Sequence, residues 1–86
     1  MLKFEFSIHA QNMLAKRKIP EEWGWRTIND PEMEFVGDDN NNHYTKAIVE
    51  KAGRVLHVVV NPYVQPNRIV TLFFDRRLRK KDESKN

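Results

Sequence analysis

Hydrophobic residues along this chain follow two periods, and the switches between them divide it into elements. Lys3-Phe4-Glu5-Phe6 alternates polar and aromatic side chains, the period of a short strand. Ala10, Met13 and Leu14 then fall three and four apart, which predicts a helix over 8–18. Ser7 stands where a hydroxyl can accept an orphan amide of the first turn. Lys16, Arg17 and Lys18 suit the negative pole at the other end. Ile19-Pro20-Glu21-Glu22 restarts a helix, expected over 20–29 and closed by Asn29-Asp30-Pro31. Gly24 inside it costs about 1 kcal/mol of helix propensity, so it either lets a neighbour pack close or weakens the helix.

Period two then returns. Glu32 to Val36 alternates Met33 and Phe35 with acids, and 37–42 (Gly-Asp-Asp-Asn-Asn-Asn) is a turn. His43 to Val49 is a further strand. Arg54 to Asn61 is nearly continuous apolar, which fits a central strand covered on both faces. A loop at 62–67 carrying two prolines precedes a last strand from Arg68 to Phe74. Hairpins over 32–49 and 43–60 make the sheet mainly antiparallel. The expectation is one α+β domain over residues 1–75, reading strand, helix, helix and four strands. Both helices pack on one face, with Phe4 and Phe6 feeding the shared core.

Composition narrows this picture in four ways. Hydrophobic residues at 40% with 31% charged residues fit a folded chain of 86 residues. No cysteine is present, so disulfides and thiolate metal sites are excluded, and a cytoplasmic setting is compatible. The first residues lack an apolar run and no stretch approaches the ~20 apolar residues of a membrane span, so neither a signal peptide nor a membrane partner is expected. The net charge of +3 is localised: 76–86 holds six Lys/Arg against two acids, leaving nine bases and ten acids elsewhere. The segment 76–86 is therefore read as a basic, flexible tail that can touch phosphates or simply solvate the chain.

The segment Phe6-Ser7-Ile8-His9-Ala10, followed by Leu14, Arg17, Ile19, Trp23, Ile28 and Pro31, resembles domain-of-unknown-function family 4258, a bacterial family set with the RelE/ParE-like toxins. The family pattern is Ser-x-His-Ala, an apolar residue, an Arg, an Ile and a short second helix ending near Pro. Met13 stands where members often carry another Arg. The resemblance implies a RelE-like fold. From its toxin branches it implies an mRNA-cleaving ribonuclease, with RNA or the ribosome as target and an antitoxin-like protein as partner. It transfers no catalytic residue, and oligomeric state is not fixed by it.

Metal-independent RNA cleavage needs a base for the 2′-hydroxyl, an acid for the leaving oxygen and cations for the phosphorane. His57, midway along the most apolar strand, shares a face with Val55 and Val59. If that face is the one without helices it is the leading catalytic candidate, and otherwise it is a core histidine. His9, in the first turn of the first helix, is a second candidate base or else a helix-docking residue. Arg17 lies about 12 Å further along that helix, too far to make a direct pair with it. Arg17, Arg54, Arg68, Arg76, Arg77 and Arg79 are candidate nucleic-acid contacts, with surface ion pairs or strand-end charges as the plainer reading. Trp23 and Trp25 point about 200° apart on the second helix, so one is expected in the core and the other partly exposed, as a contact for a partner or folded over its own loop. The 38–43 run (Asp-Asp-Asn-Asn-Asn-His) lacks the spacing of a calcium loop, and the three histidines lack zinc spacing, so neither metal nor cofactor is expected. Three functions remain: a small ribonuclease, a non-catalytic interaction module of the same fold, and a nonspecific nucleic-acid binder working through the tail.

Overall fold

The computed structural model describes residues 3–78. Along them run β1 (Phe4–Phe6), α1 (Ile8–Arg17), α2 (Glu21–Asn29), β2 (Met33–Val36), β3 (Asn42–Ile48), β4 (Arg54–Asn61) and β5 (Asn67–Phe74). Short 3-10 turns occupy Val49–Lys51 and Arg76–Leu78. The strands stand side by side in the order β1-β5-β4-β3-β2. Three neighbouring pairs are antiparallel, and β1 alone joins its neighbour β5 in parallel. The sheet is thus mixed, with its first strand placed against its last. None of the helices is long and apolar enough to cross a membrane.

Ser7 turns the chain from sheet to helix. Its amide donates to the Ile69 carbonyl at 3.0 Å, which extends the β1–β5 pairing by one step. Its hydroxyl accepts from the Ala10 amide at 3.0 Å and donates to the Val70 carbonyl at 3.2 Å. One residue therefore caps α1 and fastens it to β5. Ala10, fully buried, then lets the helix lie close to the sheet. At the far end Lys18 takes a left-handed conformation (φ 55°) and donates to Ala15, while the Ile19 amide reaches back to Leu14 at 2.9 Å. This is a Schellman closure, and it drives Ile19 into the core as its hydrophobic contact.

Gly24 is buried at the centre of the inner surface of α2. A methyl there would stand 3.3 Å from the Phe6 ring and 3.5 Å from Leu72, so the missing side chain permits the close approach. The two tryptophans flank this contact at about 100° to either side. Both are half-buried: the partly exposed tryptophan is found, but neither is fully inside the core as one was expected to be. Trp23 packs edge-on to Phe74 with ring centroids 6.2 Å apart, and Trp25 edge-on to Phe6 at 5.2 Å. The Trp25 indole N–H is satisfied by Glu21 at 2.9 Å.

Both helices cover the same sheet face. Leu56, Val58 and Val60 of β4, Ile69 and Leu72 of β5, and Tyr44 and Ile48 of β3 form the core with Ala10, Ile19 and Ile28. Burial raises the pKa of the Tyr44 hydroxyl. The intervening residues Val55, His57 and Val59 point to the opposite face, yet they are buried as well. There the 3-10 turn Arg76–Leu78 packs back against β4, so the fold continues three residues into the segment read as a tail. Residues 79–86, with Arg79 among them, lie outside the described residues.

Candidate functional site

The antiparallel register of β3 and β4 sets His43 opposite Val59 and Thr45 opposite His57. His43 and His57 are thus diagonal neighbours on the face without helices, within reach of ring-sized side chains. His43 Nδ1 lies 2.8 Å from His57 Nε2. His57 Nδ1 lies 2.9 Å from Asp75 Oδ2, and His43 Nε2 lies 3.0 Å from Asp39 Oδ1. The four side chains make one hydrogen-bonded line: Asp39, His43, His57, Asp75.

Each end is held by its own turn. Asp75 follows β5, with its amide bonded to the Val55 carbonyl at 2.8 Å. Arg77 folds back on it, with Nε and the backbone amide on Oδ1 at 3.0 Å and Nη2 on Oδ2 at 2.9 Å. That charge-assisted fork, helped by His57, holds the Asp75 carboxyl well below the usual carboxylate range against the cost of burial. At the other end Asp39 Oδ1 accepts the Asn41 amide at 2.9 Å. That bond, with His43 next, also lowers the Asp39 pKa. Gly37 is required here, because a side chain at 37 would overlap the His43 imidazole and crowd Asp39.

The rings are fixed from the sides. Phe35 stacks on His43 with centroids 5.0 Å apart, and Phe73 stacks on His57 at 5.0 Å. The pair is accordingly screened from water on a face that has no helix. His57 is 5% exposed, so the outward end of the line is His43 with Asp39 over it.

The proton count follows from donor chemistry. Ionised carboxylates only accept, so Asp39 and Asp75 each require an N–H from the ring they touch, and the contact between the rings requires one more. Three protons on two imidazoles make one cation shared between two carboxylates. A neutral pair holds two protons and must release one of the three bonds. The exposed Asp39 turn is the end free to move, and its release bares His43 Nε2. The line can therefore take up one proton and return one at a single outward nitrogen, the property a general acid–base group needs.

The sequence-expected residues separate cleanly around this line. His57 points away from the helices and stands at its centre. His9 is exposed on α1, across the sheet from His57, so the two do not form one catalytic pair. Arg77 is engaged by Asp75 and is a positioning group rather than a free phosphate contact. Arg54 and Arg76 line a cleft beside Asp75. Arg68 lies near the other end of β5, five positions from Phe73 and so about 17 Å from the His57 row. Arg17, at the end of α1, is exposed on the helix side. Among the described residues, no three His, Asp or Glu side chains converge as a metal-binding group. By sequence, His43 is one of the groups available for chemistry and Asp39 part of the 38–43 turn, while Asp75 is not singled out. The signals available were the hairpin register linking 43 to 57 and an Asp-Arg-Arg run directly after the last strand.

The model of a family described as a domain of unknown function, DUF4258, matches residues 6–74, and the chain belongs to that family. The match spans both α-helices and strands β2 to β5, takes in only the last residue of β1, and ends one residue short of Asp75. No curated protein and no solved structure matches the chain.

Proposed function

We propose that this chain is a small metal-independent endoribonuclease of RelE-like kind, acting on RNA through the outward end of the histidine line. The observation that carries the reading is the 2.8 Å contact between His43 and His57 on the sheet face without helices, anchored below by Asp75. In this reading His43 Nε2, freed from Asp39, takes the proton of a ribose 2′-hydroxyl. The 2′ oxygen attacks phosphorus, the bond to the 5′ oxygen breaks, and the departing oxygen collects a proton from the pair. The products are a 2′,3′-cyclic phosphate and a 5′-hydroxyl. His43 is then the catalytic residue. His57 acts through it as a positioning residue: its Nε2 accepts the His43 Nδ1–H while its own Nδ1–H stays on the ionised Asp75, which stabilises the charged ring. The fold kinship with RelE/ParE-like toxins and control by an antitoxin-like protein belong to the same proposal.

The test is cleavage of single-stranded RNA by the purified chain in excess EDTA, with end-group analysis of the products. Cyclic phosphate ends are expected, with the rate falling at least about 100-fold in His43→Gln. In His57→Gln the rate should fall less and its pH profile should shift. Intact RNA with the wild-type chain, together with normal growth of a bacterium expressing it, would refute the reading.

A specific observation favours the non-catalytic alternative. β2 is an edge strand whose Met33 (54%), Phe35 (39%) and Val36 (66%) are all exposed, an apolar border suited to a protein partner. An inert chain that co-purifies with one stoichiometric protein, and loses it on Phe35→Lys, would establish that reading instead. Binding through the tail alone would show as RNA retention abolished by removing 79–86.

A further inference from the structure

A second feature lies at the end of the sheet where β4 begins and β5 ends. The cleft there is lined by Arg54, Val55, Phe74, Asp75 and Arg76. The Arg54 guanidinium stands 5.4 Å from the centroid of the Phe74 ring, so an aromatic face rather than a carboxylate positions it. Its fork of N–H donors is left for a ligand. Arg76 is exposed on the adjacent wall. Among the described residues neither arginine has a carboxylate within ion-pair distance. The contrast with Arg77 is sharp, since that side chain spends its donors on Asp75. The Asp75 charge in the cleft is answered by Arg77 and His57, and Glu50 in the preceding turn is held by Arg26 at 2.8 Å. The cleft therefore presents two uncompensated cations beside a neutralised carboxylate.

We infer that this cleft is an anion site that receives a backbone phosphate of single-stranded RNA. Asp75 is common to the cleft and the histidine line, but Arg54 shares its face of β4 with Leu56 and Phe74, so the phosphate is held beyond Asp75, at the end of the line away from His43. The Phe74 ring offers the neighbouring sugar or base an apolar contact. The inference rests on the ribonuclease reading for the identity of the ester, while the affinity of the cleft for a phosphodiester stands by itself.

The test uses the full chain and a fluorescein-labelled oligouridylate with 2′-O-methyl sugars, which cannot be cleaved. Binding is followed by anisotropy at several salt concentrations. The expected result is wild-type binding that weakens roughly ten-fold or more in Arg54→Gln/Arg76→Gln, with a shallower salt dependence. The charge-matched control Lys16→Gln/Lys51→Gln should bind within about two-fold of wild type. Thermal melts establish that both variants are folded. Equal losses in the two double variants, no loss in the arginine pair, or no binding by wild type would each overturn the site. Cleavage of the unmodified oligonucleotide is measured in parallel. Arginine-dependent binding without cleavage removes the ribonuclease reading and leaves the anion site. Cleavage with an unchanged KM in the arginine variant removes the site and leaves the nuclease.

Discussion

The two faces of β4 are built from alternate residues of one strand and solve the problem of burial by opposite means. Leu56, Val58 and Val60 are covered by helices and touch almost nothing polar. Val55, His57 and Val59 are as well buried, but under aromatic rings, a returning turn and a chain of charged hydrogen bonds. Apolar packing gains free energy with each area removed from water. A buried ionic line gains little net, because desolvation offsets attraction, although breaking it is costly. A fold that needed only stability could fill the second face with valine and leucine. The helix-covered face is thus where the fold obtains its stability, and the other face is where the hydrogen-bonded histidine line lies.

The largest effect should come from the helix-covered face. Leu56→Ala removes a fully buried side chain and should cost about 2–5 kcal/mol, with a marked fall in melting temperature. In the fraction still folded, the imidazole NMR signals of His57, its neighbour in sequence, should stay where they are. If they move with Leu56→Ala, the two faces are not separable and the comparison fails.

Next in size is Asp75→Asn. It leaves His57 Nδ1 and Arg77 without their anionic acceptor inside the protein, a loss of about 1–3 kcal/mol near neutral pH. The pH dependence gives the sharper reading. The folded Asp75 pKa is depressed, so its contribution is fully present above the unfolded carboxyl value of about 4. It is lost progressively as pH falls below that value toward the native one. Denaturation midpoints of wild type should therefore decline steeply between about pH 4 and 2, and those of Asp75→Asn should decline less. A residual slope is expected from Glu50, which Arg26 holds down to about 2. Parallel curves for wild type and variant would show that Asp75 is not held as an ion by the line.

These differences also explain what sequence could and could not reveal. The limits of both helices and all five strands lie within one residue of those read from periodicity, caps and turn residues. Each depends on neighbours in sequence, as with Ser7 before α1 or Pro20 before α2. The continuous apolar run at 55–60 also announced a strand buried on both sides. What covers its second side was not legible. His43, His57 and Asp75 meet only through strand pairing, and their partnership depends on a register that no local pattern fixes. Arg77, the partner of Asp75, reads as part of a solvated tail because it sits in a run of like charges. The tryptophans were misjudged for a similar reason. A helical wheel gives the angle between Trp23 and Trp25 but not that the sheet is met at Gly24, between them.

The smallest effect on stability, and the most selective on the site, should follow Gly37→Ala. Gly37 lies outside both the core and the helix contacts, so the melting temperature should shift by only a few degrees. Its added methyl, however, falls where the His43 imidazole now lies. The ring cannot retreat inward, because His57 stands behind it and Phe35 lies along its face. It must swing toward solvent, breaking the 2.8 Å bond to His57 and the 3.0 Å bond to Asp39 together. The two rings then share no hydrogen bond, and the nitrogen–nitrogen coupling across it should vanish from NMR spectra. Wild type should instead show that coupling. Unchanged coupling in Gly37→Ala would mean that the line tolerates displacement of its outer member, and the acid–base role of His43 would lose its geometric basis.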